Sequence, residues 1–292
     1  MGDPLPPFRY VGVDTTASPG EAGALDDPQA DGAGAPAKSI PAVRWTTAGV
    51  EPVTCCVATE CPVTLVANGR ELGTVLATPQ ALRELTVGYL RTAGWIREAA
   101  QIRDWRWDPH TGRAEAVIDP PPDFSRTGGR LASGTGGSDD VEPASADGER
   151  SVPAPPAPLV DARAVAAAGQ WIAACSALFR ESGGVHAAGL YDPLRGPLFF
   201  YEDVARHNAV DKAVGRALLD GLALDRLLLA RTGRTSSEIV AKAHQAGIQF
   251  IISRGAPTSP AVRRAWQAGI TLAGFARGEA FTVYANPSRI DL

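Results

Sequence analysis

The chain is poor in sulfur. Of 292 residues one is methionine and four are cysteine, Cys55, Cys56, Cys61 and Cys175. None forms a CxxC pair, which excludes a zinc ribbon and a thioredoxin-type redox motif. Basic excess is also missing. Lys and Arg number 28 against 32 Asp and Glu, a net charge of −4. That argues against a nucleic-acid scaffold and leaves room for a local basic pocket. No stretch approaches the roughly 20 apolar residues of a bilayer crossing. The start, Met1-Gly2-Asp3-Pro4, lacks the basic and apolar regions of a secretory signal. The expectation is a soluble, cytoplasmic chain without a disulfide framework, bound to neither nucleic acid nor membrane. No internal repeat is visible.

What is present is a core. Hydrophobic residues make up 45% of the sequence. Gly and Pro, 31 and 24 residues, exceed their usual share and concentrate outside the periodic segments. Residues 1–42 read as a disordered tail. Residues 43–118 read as a smaller, β-rich N-terminal α+β subdomain. There Pro62–Gly69 and Leu72–Ala77 form a hairpin, and Thr78-Pro79 caps a helix striped by Leu82, Leu85 and Tyr89. Residues 119–160 read as a mobile Gly/Pro-rich loop or linker. Residues 161–292 alternate strands with capped helices, an α/β layer with a largely parallel sheet. One helical face runs Val165, Ala168, Ile172, Cys175, Phe179. Asn208 with Asp211, and Thr235 with Glu238, look like capping boxes.

In this second half an arginine recurs at successive loops: Arg206, Arg234, Arg254 and Arg277. Ligands of open α/β sheets settle at strand carboxyl ends beside helix N-termini, whose free amides attract anions. Guanidinium adds bidentate phosphate donors. The pattern suits a polyanion such as a dinucleotide diphosphate; ordinary surface arginines are the alternative. His186 and His207 can bond a ligand or move a proton near neutral pH, or be satisfied by backbone. Asp211 and Lys212 read equally as a cap and a solvated charge, and His110 and His244 as surface residues.

Five ordered blocks then resemble the formate dehydrogenase accessory sulfurtransferase family, FdhD. They are Ser182–Ala188, Glu202–Lys212, Thr232–Ser236, Ala256–Ser259 and Gly274–Gly278, with Asn68-Gly69, Thr78-Pro79 and Glu84–Leu90 agreeing in the first half. The resemblance spans about Glu51 to Ile290. It implies a cytidine-deaminase-like C-terminal fold and a homodimer. It implies sulfur taken from a cysteine desulfurase and passed to Mo-bis(molybdopterin guanine dinucleotide) for a molybdenum-dependent formate dehydrogenase. The cofactor-contacting stretch falls on Phe275, Ala276, Arg277, Gly278, Glu279 and Ala280. Deaminase chemistry does not follow. His186 is followed by Ala187-Ala188 and Ala256-Pro257-Thr258-Ser259 lacks thiols, so zinc has neither ligands nor a general base.

The chain departs from the family at the sulfur carrier. The family's loop CxxC falls on Ser133–Ser138, with hydroxyls, Thr135 and Ser138, at the two cysteine positions. A hydroxyl holds no persulfide and is a far weaker nucleophile than a thiolate. No cysteine lies between Cys61 and Cys175, so no shift of register restores one. Cys175 reads as core and Cys61 as the most exposed thiol, which leaves Cys56 or Cys61 as a relocated carrier. Ala205 also replaces the family's usual Gly, and Ala93 its usual Glu. Two readings stay open: a sulfur-transferring accessory protein, and a non-catalytic chaperone for a molybdopterin guanine dinucleotide.

Overall fold

The computed structural model describes residues 34–124 and 159–292. The first strands, β1 (Ala37–Thr46) and β2 (Gly49–Ala58), pair antiparallel along their whole length as a separate ribbon. Residues 37–42, expected in the tail, belong to β1, and residues 1–33 lie outside the described residues. Pro41 does not stop β1, because a strand with a free edge tolerates the lost donor. The expected hairpin is β3 (Cys61–Ala67) with β4 (Arg70–Ala77), turning at Asn68-Gly69 with φ of 50° and 76°. Helix α1 (Leu82–Thr92) follows, then β5 (Ile102–Asp108) and β6 (Arg113–Ile118), in a four-stranded sheet ordered β4-β3-β6-β5. Leu82, Leu85 and Tyr89 of α1 pack on Val63, Leu65 and Val75. The stripe is as expected and the start is not. The helix begins after Ala81, in the left-handed region at φ 52°, and Thr78 makes no cap.

Strand β7 (Val160–Asp161) opens the second half, followed by α2 (Ala162–Cys175) and α3 (Ala177–Ser182). The single helix expected through Phe179 breaks at Ser176, which turns out with ψ 80° and returns its hydroxyl to Ile172 O at 2.8 Å. Phe179 is consequently exposed. Then come β8 (His186–Asp192), β9 (Gly196–Asp203), α4 (Arg206–Leu219), β10 (Leu228–Arg231), α5 (Ser237–Ala246), β11 (Phe250–Ser253), α6 (Ser259–Gln267), β12 (Thr271–Arg277), β13 (Ala280–Ala285) and β14 (Ile290–Asp291). The six-stranded sheet is ordered β13-β12-β11-β10-β8-β9. It is mixed, not largely parallel. Only the β10–β11 and β11–β12 pairs are parallel; β8–β9 and β12–β13 are joined by turns too short for a crossover, and β10 lies antiparallel to β8. Helix α2 covers one face, where Leu228 and Ala230 point. Helices α4, α5 and α6 cover the other, where Leu229 points.

The edges of the expected linker are packed. Val160 is buried in a parallel pair with Ile290, and Phe124 lies edge-on to Trp95 at 4.8 Å. Residues 125–158, which hold Thr135 and Ser138, lie outside the described residues. The two halves meet backbone to backbone where α1 crosses α4. A Cβ on Gly88 would stand 1.7 Å from Asp211 O, and one on Gly215 1.9 Å from Glu84 O. No helix among the described residues is long and apolar enough to cross a membrane.

Candidate functional site

The strand directions gather the loops. The carboxyl ends of β9, β10, β11 and β12 and the amino end of β8 share one edge of the sheet. Arg206 and His207 open α4 there, and Arg234 follows β10. Arg254 follows β11, Phe275–Ala280 surround the β12–β13 turn, and His186 starts β8. Backbone contacts stitch these loops into one surface. Arg254 N donates to Arg231 O at 3.0 Å, Thr235 N to Ala256 O at 3.0 Å and Phe275 N to Gly255 O at 3.3 Å. Arg277 Nε donates to Arg254 O at 3.2 Å, with its guanidinium 5.7 Å from the Phe275 ring. Gly233 is the close-approach point. A side chain there would stand 3.3 Å from His186 Nδ1 and 3.4 Å from Arg206 Cβ. All of the arginines and histidines picked from the sequence thus share this edge.

Burial sorts them. Arg234 and Arg277 are exposed, as are Gly278, Glu279 and Ala280. Arg206, Arg254 and His186 are half-buried, and Ala276 and His207 are buried. The central residue is one that sequence reading missed. Arg231, the last residue of β10, is fully buried. Its Nη1 donates to Gly233 O at 2.8 Å, Arg234 O at 2.8 Å and Thr235 Oγ1 at 3.0 Å, holding the loop from inside. Burial, then the neighbouring Arg206, pushes its pKa down to about 9, still a cation at neutral pH. The one signal in the sequence was a charge closing the apolar run Leu227–Ala230.

The expected caps do other work. Ser236 stands at the start of α5, while the Thr235 hydroxyl serves Arg231 and Thr235 bridges to Pro257. Glu238 instead pairs with His207, Oε2 to Nε2 at 3.1 Å. Asn208 and Asp211 lie inside α4, which starts at Arg206 because Asp203 satisfies the helix entrance from outside. Asp211 is paired with Lys242 at 2.7 Å, and Lys212 with Asp203 at 2.6 Å, all but Lys242 buried. Ala205 has φ −107°, so the usual glycine is not required here.

Burial, reinforced by Arg231 and Arg206, holds the His186 imidazole below its ordinary pKa. Burial does the same for His207 against the opposing bond to Glu238, whose own pKa that bond lowers. A neutral His207 donating from Nε2 leaves Nδ1 as an acceptor. Three buried nitrogens on this edge have no hydrogen-bond partner among the described residues: Arg206 Nε, His207 Nδ1 and Arg231 Nε. Unmet capacity of this kind is rare in protein interiors. It combines two cationic donors with one acceptor.

The thiols lie elsewhere. Cys55 and Cys56 are half-buried on β2, and Cys61 is half-buried at the start of β3, packed against the α1 core, so it is not the exposed thiol expected. Cys175 is also half-buried, against the α2 core. Desolvation raises the pKa of Cys56, with Glu181 adding to it, Sγ to Oε2 3.9 Å. Burial raises Cys61 although Lys212 opposes it, and burial with Glu202 lifts Cys175 to about 12. A cavity of about 410 Å³ lies off the arginine edge, walled by Glu181, Glu202, Tyr201, Phe200 and the Lys212 stem. No loop arginine reaches it.

Comparison with known proteins agrees with the resemblance read from the sequence. The model of the FdhD/NarQ family matches residues 58–291. The chain is 32% identical over 241 residues to the sulfur carrier protein FdhD of Bacillus subtilis (strain 168), covering 80% of this chain and 89% of that one. It is 36% identical over 261 residues to the sulfur carrier protein FdhD of Anaeromyxobacter dehalogenans strain 2CP-1, covering 81% and 88%. A crystal structure from Desulfotalea psychrophila, provisionally described as a formate dehydrogenase accessory protein, superposes with a TM-score of 0.69 and 28% identity, over 87% of this chain and 99% of that one.

Proposed function

The chain belongs to the FdhD/NarQ family, and on that premise we propose that it binds Mo-bis(molybdopterin guanine dinucleotide) at the arginine edge as an accessory protein in the maturation of a molybdenum-dependent formate dehydrogenase. The supporting observation is the set of unpartnered buried nitrogens on Arg206, His207 and Arg231 beside the loops of Arg234, Arg254 and Arg277. Guanidinium donors match pyrophosphate oxygens. An imidazole acceptor matches the N–H edge of guanine. Phe275 and Arg277 to Ala280 lie at the open rim of this surface, within reach of a bulky ligand. The fold proposed is a cytidine-deaminase-like layer whose metal chemistry is gone, since the zinc signatures are absent from the sequence.

In the full sulfur-transfer reading, a carrier thiolate attacks the persulfide of a cysteine desulfurase. It takes the terminal sulfur, and the desulfurase cysteine leaves as thiolate. That step needs a thiolate. The only candidates, Cys56 and Cys61, have raised pKa values, and Thr135 and Ser138 cannot substitute. This observation favours the second reading, a cofactor-binding chaperone that carries no sulfur. A homodimer and the cytoplasm belong to the same proposal.

Titration with GDP tests the binding site. Arg277→Ala is expected to weaken binding about tenfold or more, a charge-assisted contact being worth about 1.5–3 kcal/mol. Unchanged affinity would remove Arg277 from the site. Intact mass after incubation with a cysteine desulfurase and cysteine separates the two readings. Addition of one sulfur, lost in Cys56→Ser or Cys61→Ser, restores transfer; no addition with GDP binding retained supports the chaperone.

A further inference from the structure

Thr78, expected at a helix start, does something else. All three of its polar groups reach the other subdomain, and its carbonyl also accepts from Gln80 N at 2.7 Å within its own. Its amide donates to Asp203 Oδ2 at 3.1 Å, its hydroxyl accepts from Val204 N at 3.1 Å, and its carbonyl accepts from Lys212 Nζ at 3.0 Å. Two residues earlier Leu76 O accepts from Asn208 Nδ2 at 2.8 Å. These partners bracket Arg206 and His207 in the chain. Asp203 is the knot. Its Oδ1 accepts from Ala205 N at 2.9 Å and Asn208 Nδ2 at 3.1 Å, while Oδ2 takes the Thr78 amide and the Lys212 ammonium at 2.6 Å. Thr78, Asp203 and Lys212 have no exposed surface. Ala205 at the head of α4 has no side-chain oxygen to cap the helix. Asp203 supplies a carboxylate there, at the positive end of the helix dipole.

We propose that Thr78 and Asp203 are positioning residues for the ligand edge. Through them the N-terminal subdomain holds the β9–α4 turn in the conformation that sets Arg206 against Gly233 and His207 against Glu238. The affinity consequence rests on the ligand reading above; the effect on His207 rests on geometry alone. A residue acting only on stability would leave both unchanged in the folded protein.

The test uses the full chain well below its melting temperature. Thr78→Val keeps the shape and removes the acceptor for Val204 N–H, whereas Thr78→Ser keeps it. Thr78→Val is expected to weaken GDP binding about fivefold, the equivalent of one neutral hydrogen bond. It is also expected to move the His207 titration, followed by NMR, toward the ordinary imidazole value. That ring is held by Glu238 and Ser236, with Arg206 and Lys242 acting on it electrostatically. Thr78→Ser should restore both. A lowered melting temperature with wild-type GDP affinity and wild-type His207 titration overturns the proposal. If the unmodified protein does not bind GDP, the ligand reading fails by itself, and the His207 titration alone decides the positioning role. Should Thr78→Val not fold, Asp203→Asn combined with Lys212→Met removes both buried charges together and is read by the same two measurements.

Discussion

Neutral imidazoles sit beside a buried guanidinium on the arginine edge, and that choice of charge state has a pH signature. His186 and His207 titrate below their ordinary value in the folded chain. The unfolded chain takes up those protons near pH 6.5, before the native state does. Stability contributed by their neutrality is therefore complete above that pH. It falls as pH drops through 6.5 toward the folded values. Urea midpoints at pH 7.5 should exceed those at pH 5.5, and His207→Gln should flatten the slope. Glu238, held below its ordinary value, adds a separate loss at lower pH. Arginines divide in the same way. Arg231→Met strips the donor from Gly233 O, Arg234 O and Thr235 Oγ1. It should cost about 2–4 kcal/mol by urea denaturation. Arg277→Ala, at an exposed position, should change stability by less than about 0.5 kcal/mol while weakening GDP. The exposed arginines were legible because they punctuate loops. Arg231 was not, because nothing local distinguishes an arginine that ends a buried strand from one that reaches water.

At the scale of elements, the α1–α4 crossing is the tightest seam between the halves. Its closeness depends on two glycines that the sequence shows only as helix breakers. Gly88→Ala drives a methyl into the Asp211 carbonyl. It should destabilise by about 3 kcal/mol, read as a shifted urea midpoint at unchanged slope. Hairpin β3–β4 and helix α6 were readable from local chemistry. Asn68-Gly69 supplies the positive φ values, and Thr258 accepts the Ala261 amide ahead of Pro260. The starts of α1, α4 and α5 were misplaced for a common reason. Thr78, Asn208, Asp211, Thr235 and Glu238 are good caps in isolation, and each is claimed by a tertiary partner instead. The break between α2 and α3 escaped notice because the apolar spacing continues across Ser176.

Over the whole molecule, the thiols and the arginine surface lie apart. The thiols lie on β2, β3 and α2, while the arginine surface occupies the carboxyl edge of the six-stranded sheet. Incubated with a desulfurase and cysteine, the full chain is expected to keep its mass. Cys56 should react with a thiol reagent more slowly than a free cysteine at pH 8, because desolvation and the Glu181 carboxylate oppose its thiolate. Fast labelling at Cys56 would reopen the sulfur-carrying reading.

Composition, loop chemistry and five short blocks were enough to establish the α/β class, the family and the absence of cysteine between Cys61 and Cys175, because these depend on which residues are present and in what order. Which strands run parallel, which arginine is buried, and where Thr78 and Asp211 spend their hydrogen bonds were decided only by the tertiary structure. Partners more than a hundred residues apart in sequence meet there, and a buried polar group is bound by whatever donor or acceptor the packing brings to it.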